Sequence, residues 1–374
     1  MSQCLLCGKS SEKIAGCLQF CYSCLRDHFP EIHKEIDTVH AKIRRAHDLP
    51  TAPPQDLNNP VCTLCVNSCR IPAGARGYCG VRTNREGKIH GGTAGNGDLY
   101  YYYDPLPTNC VADWVCPGGT GVGYPKFACR PGPERGHKNL AVFYHGCTFD
   151  CLFCQNWQHR LSFGKSHPVS AQDLADAVDK STSCICYFGG DPTPHLIHSI
   201  RTARIARKRA GDKILRICWE TNGSGNPSVL EEIMGLALES GGCVKFDLKA
   251  WNEGVHLALC GVSNRRTLKN FARLSRRIDE RRDPPPLVAS TLLIPGYVEE
   301  EEVHEIARFI ASLDNTIPYS LLGFHPQFFM ADLPTTSWKQ ADRCLAAARE
   351  PGLSRVRVGN LHLLNSQPNT GPAE

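Results

Sequence analysis

The chain has 374 residues, of which 41% are hydrophobic and 21% are charged, so it carries enough apolar side chains for a folded core and is not a disordered chain. Its 42 basic and 37 acidic residues leave a formal net charge of only +5, so charge alone gives no argument for a nucleic-acid partner. Cysteine, however, occurs 21 times and methionine only 3 times. This excess of cysteine needs a chemical explanation.

The expected cellular compartment limits the chemical roles of the cysteines. We find no apolar stretch of the length that a signal peptide or a membrane helix needs, so we expect a cytoplasmic protein with no membrane partner. Disulfides are rare in a reducing cytosol, and an odd number of cysteines cannot pair completely. Ligation of a metal ion or an iron-sulfur cluster is therefore the leading explanation.

The first 50 residues are predicted to form a small zinc-ribbon-like module followed by a helix over 33–47. Two Cys-x2-Cys pairs stand 13 residues apart, a spacing that favours zinc, with an iron-sulfur cluster as the alternative. The four candidate ligands are Cys4, Cys7, Cys21 and Cys24. A segment this short has too few apolar residues to form a stable core by itself. The proline-containing stretch 51–55 then indicates a linker.

The second region, residues 55–138, is rich in Gly, Pro and Cys and shows little periodicity, which suggests irregular structure around an auxiliary metal site. Its candidate ligands are Cys62, Cys65, Cys69 and Cys79, with Cys110, Cys116 and Cys129 as replacement or additional ligands. Zinc, an electron-relay cluster and a ligand set that has been lost all stay open. The tyrosines at 100–103 are expected either in a core or at a substrate entry.

Between residues 139 and 365 short β-rich runs alternate with amphipathic helical stretches. The predicted strands are 140–145, 184–188, 214–219, 243–248, 287–294, 319–324 and 355–358. This alternation predicts βαβ units and a parallel sheet, either doubly wound or in a full or partial (βα) barrel. In both architectures functional groups lie at the carboxyl ends of the strands.

Three closely spaced cysteines directly follow the first predicted strand. Cys147, Cys151 and Cys154 have x3 and x2 spacing, so their thiolates can ligate three irons of a cubane cluster and leave the fourth iron open. A zinc site would need a fourth ligand, for which His145 and His159 are close in sequence.

Six further cysteines follow the trio. They are Cys184, Cys186, Cys218, Cys243, Cys260 and Cys344. Most stand inside apolar runs, where a free thiol behaves as a small core hydrophobe. We expect them to pack without a chemical role.

The cysteine trio, with the aromatic Phe153 before its last member, resembles the motif of the radical S-adenosylmethionine (SAM) superfamily. The second strand ends in Gly189, Gly190 and Asp191, similar to the Gly-Gly-Glu-Pro segment whose backbone meets the amino group of the methionine moiety. Here Asp191 replaces the usual Glu. Its side chain is one methylene shorter, so any structural hydrogen bond that it makes must be rearranged.

Later strand ends carry the same resemblance. Glu220 and Asn222 match positions that in similar enzymes contact the ribose or the methionine carboxylate. Asp247 and Lys249 share one face of the next strand by alternation, and a lysine there could neutralise the SAM carboxylate. His325 follows a late strand and matches a histidine that lies close to SAM in activating enzymes.

Within the superfamily, residues 153–157, 221–223 and 247–249 look most like glycyl-radical-enzyme activating enzymes, the group that contains pyruvate formate-lyase activating enzyme. Residues 62–84 are similar to single-chain relatives that include the AmmeMemoRadiSam-system proteins. One departure is clear. Activating enzymes with extra clusters usually insert a ferredoxin-like module after the SAM motif, whereas residues 155–183 contain no cysteine.

The resemblance implies a partial TIM barrel with a 4Fe-4S cluster on the three cysteines and SAM on the open iron. Reductive cleavage of SAM would give a 5′-deoxyadenosyl radical that abstracts hydrogen from a substrate. The implied partners are a one-electron donor such as flavodoxin or ferredoxin and, as a candidate substrate, a glycyl-radical enzyme. Two alternatives stay open: radical modification of a peptide, cofactor precursor, lipid or nucleotide, and a non-enzymatic zinc-rich interaction protein.

Overall fold

The computed structural model of the chain describes residues 1–161 and 168–365. Its N-terminal part contains a short antiparallel strand pair and two helices. These elements are β1 (Ser2–Gln3), β2 (Ser10–Ser11), α1 (Tyr22–Asp27) and α2 (Phe29–Ala46). The helix predicted over 33–47 is confirmed, and it begins earlier because Pro30 lies in the first turn, where no amide hydrogen is needed for a helical hydrogen bond.

The region 55–138 contains mostly short elements, as expected, with one exception. The elements are β3 (Thr83–Arg85), β4 (Lys88–His90), β5 (Asn96–Gly97), β6 (Leu99–Pro105) and α3 (Pro117–Thr120). The exception is β6, which forms one edge of the main sheet and carries the four consecutive tyrosines, each 40–49% exposed. No strand was predicted here, because four identical side chains in a row show no alternation between two faces.

The main sheet has eight strands in the order β14-β13-β12-β11-β10-β9-β7-β6. The strands after β6 are β7 (Lys138–Tyr144), β8 (Val169–Ser170, paired with β5 outside this sheet), β9 (Thr182–Gly189), β10 (Arg216–Thr221), β11 (Val244–Asp247), β12 (Leu287–Leu293), β13 (Tyr319–Gly323) and β14 (Val356–Gly359). All neighbours are parallel except β6 and β7. Strand order follows chain order without a reversal, which distinguishes a partial barrel from a doubly wound sheet.

The crossover helices match the predicted amphipathic stretches, and one more helix is present. They are α4 (Ala171–Asp176), α5 (Leu196–Ala210), α6 (Pro227–Ser240), α7 (Glu253–Cys260), α8 (Arg265–Ser275), α9 (Glu300–Leu313) and α10 (Trp338–Arg349). The additional helix is α7, which is only eight residues long and is capped by Asn252, whose side chain accepts a hydrogen bond from the Val255 amide. Within the described residues no helix is long and apolar enough to cross a membrane.

The largest core lies between the sheet and these helices, and it includes Tyr187 and Trp219. The opposite face of the sheet lines the barrel interior. The segment before β7 lies across the amino ends of the strands, where Glu134 accepts hydrogen bonds from Arg216 at 2.6 and 2.8 Å, both side chains being buried. This buried ion pair fixes the segment to the barrel.

Candidate functional site

A cavity of about 160 Å³ lies at the carboxyl ends of β7, β9, β10 and β11. It brings together most of the candidate residues predicted for cluster and SAM binding. These are Cys147, Cys151, Phe153, Cys154, Gly189, Gly190, Asp191, Glu220, Asn222, Asp247 and Lys249. His325 follows β13 but is exposed and does not line this cavity.

The cysteine loop is held from behind by α7. The amide of Asp150 donates to the Cys260 carbonyl at 2.8 Å, and the amide of Leu152 donates to the Leu259 carbonyl at 2.9 Å. Backbone hydrogen bonds of this kind fix the loop without using the thiols. The three cysteines are therefore left to face the cavity.

A buried carboxylate within the loop, that of Asp150, is one feature that was not predicted from the sequence. Asp150 lies 2.8 Å from His40 Nδ1 and 3.3 Å from Arg44 Nη1, and it also accepts a hydrogen bond from Arg160. Burial alone would raise the pKa of Asp150, but His40, Arg160 and Arg44 lower it to about 2. The carboxylate thus joins α2 to the cysteine loop.

The donor set of the loop fits an iron-sulfur cluster. A hydrogen bond with Cys260, together with burial, raises the pKa of Cys151 well above its usual range; burial raises that of Cys147 similarly and that of Cys154 to about 11. Three thiolates in this setting need a polyvalent cation, and an iron-sulfur centre is a preferred partner for such a set.

Two glycines at the end of β9 allow a close approach between this strand and the loop after β7. Gly189 has a φ of +122°, and a Cβ atom on it would stand 2.4 Å from the Tyr144 carbonyl oxygen. A Cβ atom on Gly190 would stand 2.4 Å from the Gly146 carbonyl oxygen and 2.6 Å from the His159 ring. Only glycine fits these positions without a shift of the backbone.

Asp191 turns its shortened side chain into the protein. Its carboxylate accepts hydrogen bonds from the Thr221 hydroxyl at 2.8 Å, the Thr148 hydroxyl at 3.1 Å and the Asn222 amide at 3.2 Å. These bonds join the ends of β9 and β10 to the cysteine loop. The structure thus shows which hydrogen bonds the aspartate makes in place of those of the usual glutamate.

Two acid–lysine pairs stand on β10, on β11 and just beyond the end of β11. Lys249 Nζ lies 2.8 Å from Asp247, and Lys245 Nζ lies 3.1 Å from Glu220. Burial opposes the charge on Lys249, but Asp247 and the nearby thiols raise its pKa well above the usual value. The cavity therefore carries paired charges along its wall.

The first N-terminal cysteine set has the geometry of a single metal site. The Sγ atoms of Cys4, Cys7, Cys21 and Cys24 all lie within 4.8 Å of one another. Cys4 and Cys24 are 3.6 Å apart, and Cys7 and Cys21 are 3.7 Å apart. A tetrahedron of sulfurs at the usual zinc–sulfur bond length has edges of about 3.8 Å.

The second set does not reach that geometry. Cys62, Cys65, Cys69 and Cys79 line one small cavity together with Thr148. In the part of the chain that the structure describes, only the first set brings three or more ligand atoms within 4.8 Å of one another. Two of the proposed replacement ligands, Cys110 and Cys116, line a different cavity.

That other cavity, of about 240 Å³, lies inside the barrel and shares Asn156, Phe188 and Glu220 with the first. We name it the thiol chamber. Its six cysteines are Cys110, Cys116, Cys184, Cys186, Cys218 and Cys243. The expected packing role applies to Cys260 and Cys344, which are fully buried in the cores. Alternating cysteines on β9 were the signal in the sequence, because alternate residues share one face.

Comparison with known proteins gives the family. Residues 141–310 match the model of the Radical SAM superfamily. The chain contains a radical SAM domain. It is 27% identical over 193 residues to pyruvate formate-lyase 1-activating enzyme of Escherichia coli K12, a match that covers 49% of this chain and 73% of that protein. The predicted family, fold and enzyme class are thereby confirmed.

Further relatives show the range of the similarity. A putative glycyl-radical enzyme activating enzyme of Methanocaldococcus jannaschii is 25% identical over 190 residues, which cover 50% of this chain and 67% of that protein. An uncharacterized protein of the same organism is 22% identical over 315 residues, which cover 82% of this chain and 83% of that one. A solved domain of pyruvate-formate lyase-activating enzyme from Bacteroides vulgatus aligns with a TM-score of 0.37 and 24% identity over 46% of this chain and 97% of that domain.

The Asp150 network predicts a large loss of stability on truncation. Asp150→Ala leaves Arg44 and Arg160 buried without their anionic partner, so we expect the free energy of unfolding to fall by about 3–5 kcal/mol in urea titration. Asp113→Ala, which breaks a partly exposed pair with Arg357, is the control, and we expect it to cost about 0–1 kcal/mol. Equal losses for the two variants would contradict the role given to Asp150.

Proposed function

We propose that this enzyme reductively cleaves SAM at a 4Fe-4S cluster held by Cys147, Cys151 and Cys154. The observation that carries the proposal is the single cavity into which the three thiols and the strand-end residues face. When bound there, the cluster and SAM supply a 5′-deoxyadenosyl radical for hydrogen abstraction. The protein binds and orients these groups and limits access of water to them.

The strand-end residues would orient SAM. Gly189 and Gly190 let β9 approach the loop after β7 closely, and their backbone borders the cavity where the methionine moiety would bind. Asp191 acts indirectly, because its carboxylate is committed to Thr148, Thr221 and the Asn222 amide. Phe153, Glu220, Asn222, Asp247 and Lys249 complete the proposed SAM contacts. The role of the exposed His325 stays a prediction from the family resemblance.

Two substrate classes are supported by different observations. Relatives named as activating enzymes support a glycyl-radical enzyme as the protein substrate. The thiol chamber beside the cluster cavity supports a small organic molecule. In either case we propose a one-electron donor such as flavodoxin or ferredoxin, and a cytoplasmic setting stays a prediction.

Removal of one thiol from the trio tests the proposal. Anaerobically reconstituted and reduced protein should convert SAM to 5′-deoxyadenosine, measured by liquid chromatography and mass spectrometry. Cys151→Ala should abolish this product because the cluster loses one of three ligands. Cys344→Ala, which removes a buried thiol on α10, is the matched control and should retain it. Production of 5′-deoxyadenosine by Cys151→Ala at the wild-type level would overturn the assignment.

We also propose a division into residues 1–50, 55–138 and 139–365, with a structural zinc ion on the first cysteine set. The module rests on the barrel, because the Ala15 amide donates to the Tyr297 hydroxyl at 2.9 Å and the Gly16 amide donates to Asp332 at 2.7 Å. The second set, Cys62, Cys65, Cys69 and Cys79, is a proposed auxiliary site for zinc or an iron-sulfur cluster. It lies beside Thr148, which directly follows the first cysteine of the trio.

Elemental analysis tests the zinc proposal. We expect Cys21→Ser to lose zinc and to unfold at lower temperature, because metal binding contributes directly to the folding of such modules. Cys17→Ser lies in the same module but outside the ligand set, so it should keep the wild-type zinc content. Iron in place of zinc in the wild-type module, or full zinc retention in Cys21→Ser, would contradict the proposal.

A further inference from the structure

The thiol chamber directly adjoins the cluster cavity, on the side of the amino ends of the strands. Cys186 precedes Phe188 by two residues on β9, and Cys218 precedes Glu220 by two residues on β10, all facing the barrel interior. Two residues of a strand span about 7 Å. A row of thiols thus stands about 7 Å below residues that line the cluster cavity, a separation that one small molecule can fill.

The thiols form a row across neighbouring strands. Cys186 and Cys218 are register partners, and the Trp219 amide donates to the Cys243 carbonyl, so Cys243 continues the row directly before β11. Cys110 approaches from the segment across the amino ends. Lys245 Nζ lies 3.1 Å from the Sγ atoms of both Cys110 and Cys186.

Lys245 fixes the position of these thiols. It is 1% exposed, and its third close partner is Glu220 at 3.1 Å. An ammonium group has three N–H donors, and these three acceptors use them all. Cys186 is thereby held on the wall of the chamber on the same strand as Phe188, which lines both cavities.

A thiol in this position has a defined chemistry. The S–H bond is weaker than an aliphatic C–H bond, so a thiol transfers a hydrogen atom to a carbon radical. A substrate radical formed in the chamber would therefore be quenched by the thiol row.

We propose that Cys186 returns a hydrogen atom to the substrate radical, and that the substrate is a small organic molecule held in the thiol chamber. The proposal rests on the SAM cleavage proposed above. In the step a C–H bond forms on the substrate carbon while the S–H bond of Cys186 breaks and leaves a thiyl radical. One electron from the one-electron donor and one proton from solvent restore the thiol. The product is then an isomer of the substrate, and SAM is consumed.

Deuterium transfer tests this role with SAM alone as the probe. In D₂O, with a reductant that contains no thiol, the Cys186 thiol carries exchangeable deuterium. Without substrate the thiol chamber is unfilled, so the 5′-deoxyadenosyl radical can enter it past the shared residues Phe188 and Glu220 and take the deuterium. The wild-type protein should then form deuterated 5′-deoxyadenosine, and mass spectrometry gives the deuterated fraction. Cys186→Ser should lower that fraction severalfold. Cys344→Ala, a buried thiol on α10 outside the chamber, should leave it unchanged.

The outcomes separate the two proposals. If neither the wild-type protein nor any variant forms 5′-deoxyadenosine, the proposal of SAM cleavage is wrong. If 5′-deoxyadenosine forms and its deuterated fraction is the same in Cys186→Ser and wild type, only the role of Cys186 is overturned.

Alkylation gives a readout that does not depend on turnover. Because burial raises the pKa of Cys186, the full, reconstituted chain is treated with iodoacetamide at alkaline pH. Peptide mapping should show that Cys186 is modified and that Cys344, which is fully buried, is spared. Protection of Cys186 to the same degree as Cys344 would show that the chamber admits no small molecule and would overturn the assignment of the substrate class.

Discussion

A single buried carboxylate, that of Asp150, joins parts of the chain that are far apart in the sequence. It stands between Cys147 and Cys151 in the sequence, and its partners come from α2 and from the turn after the cysteine loop. A charge in such a place is tolerated only when it is paired and hydrogen-bonded, so these partners must be present for the loop to hold its conformation. The N-terminal helix therefore belongs to the support of the site, although it contributes no side chain to the cavity wall.

The charged side chains at the strand ends are also paired. Asp247 with Lys249 and Glu220 with Lys245 place two ion pairs on β10, on β11 and just beyond the end of β11, one beside the cysteine loop and one at the border of the thiol chamber. Lys249 and Arg160 also lower the pKa of the nearby Cys151 and Cys154 thiols, in opposition to burial. Positive charge is thus available beside the three thiolates that a cluster would need.

The sequence predicted the parallel barrel strands and the cysteine trio, because both depend on local pattern. Alternating apolar runs and amphipathic helices specify βαβ units, and the Cys-x3-Cys-x2-Cys spacing is visible without any fold. The Asp150 network could not be predicted, because His40 and Arg44 meet the loop only after the chain folds. The thiol chamber was missed for a similar reason. In the sequence Cys186 and Cys218 stand in apolar runs, as core residues do. Only the strand register and the fold place them near Cys110 and Lys245. The edge strand β6 was missed because its four tyrosines carry no alternation.

The central claim is that the three thiols of the cysteine loop hold one iron-sulfur cluster with an iron open to SAM. Electron paramagnetic resonance of the reduced, reconstituted protein, recorded before and after addition of SAM, tests this claim most directly. We predict a reduced 4Fe-4S signal whose g-values shift when SAM is added, because SAM would bind the iron that lacks a protein ligand. A reduced cluster signal that is identical with and without SAM would contradict the account.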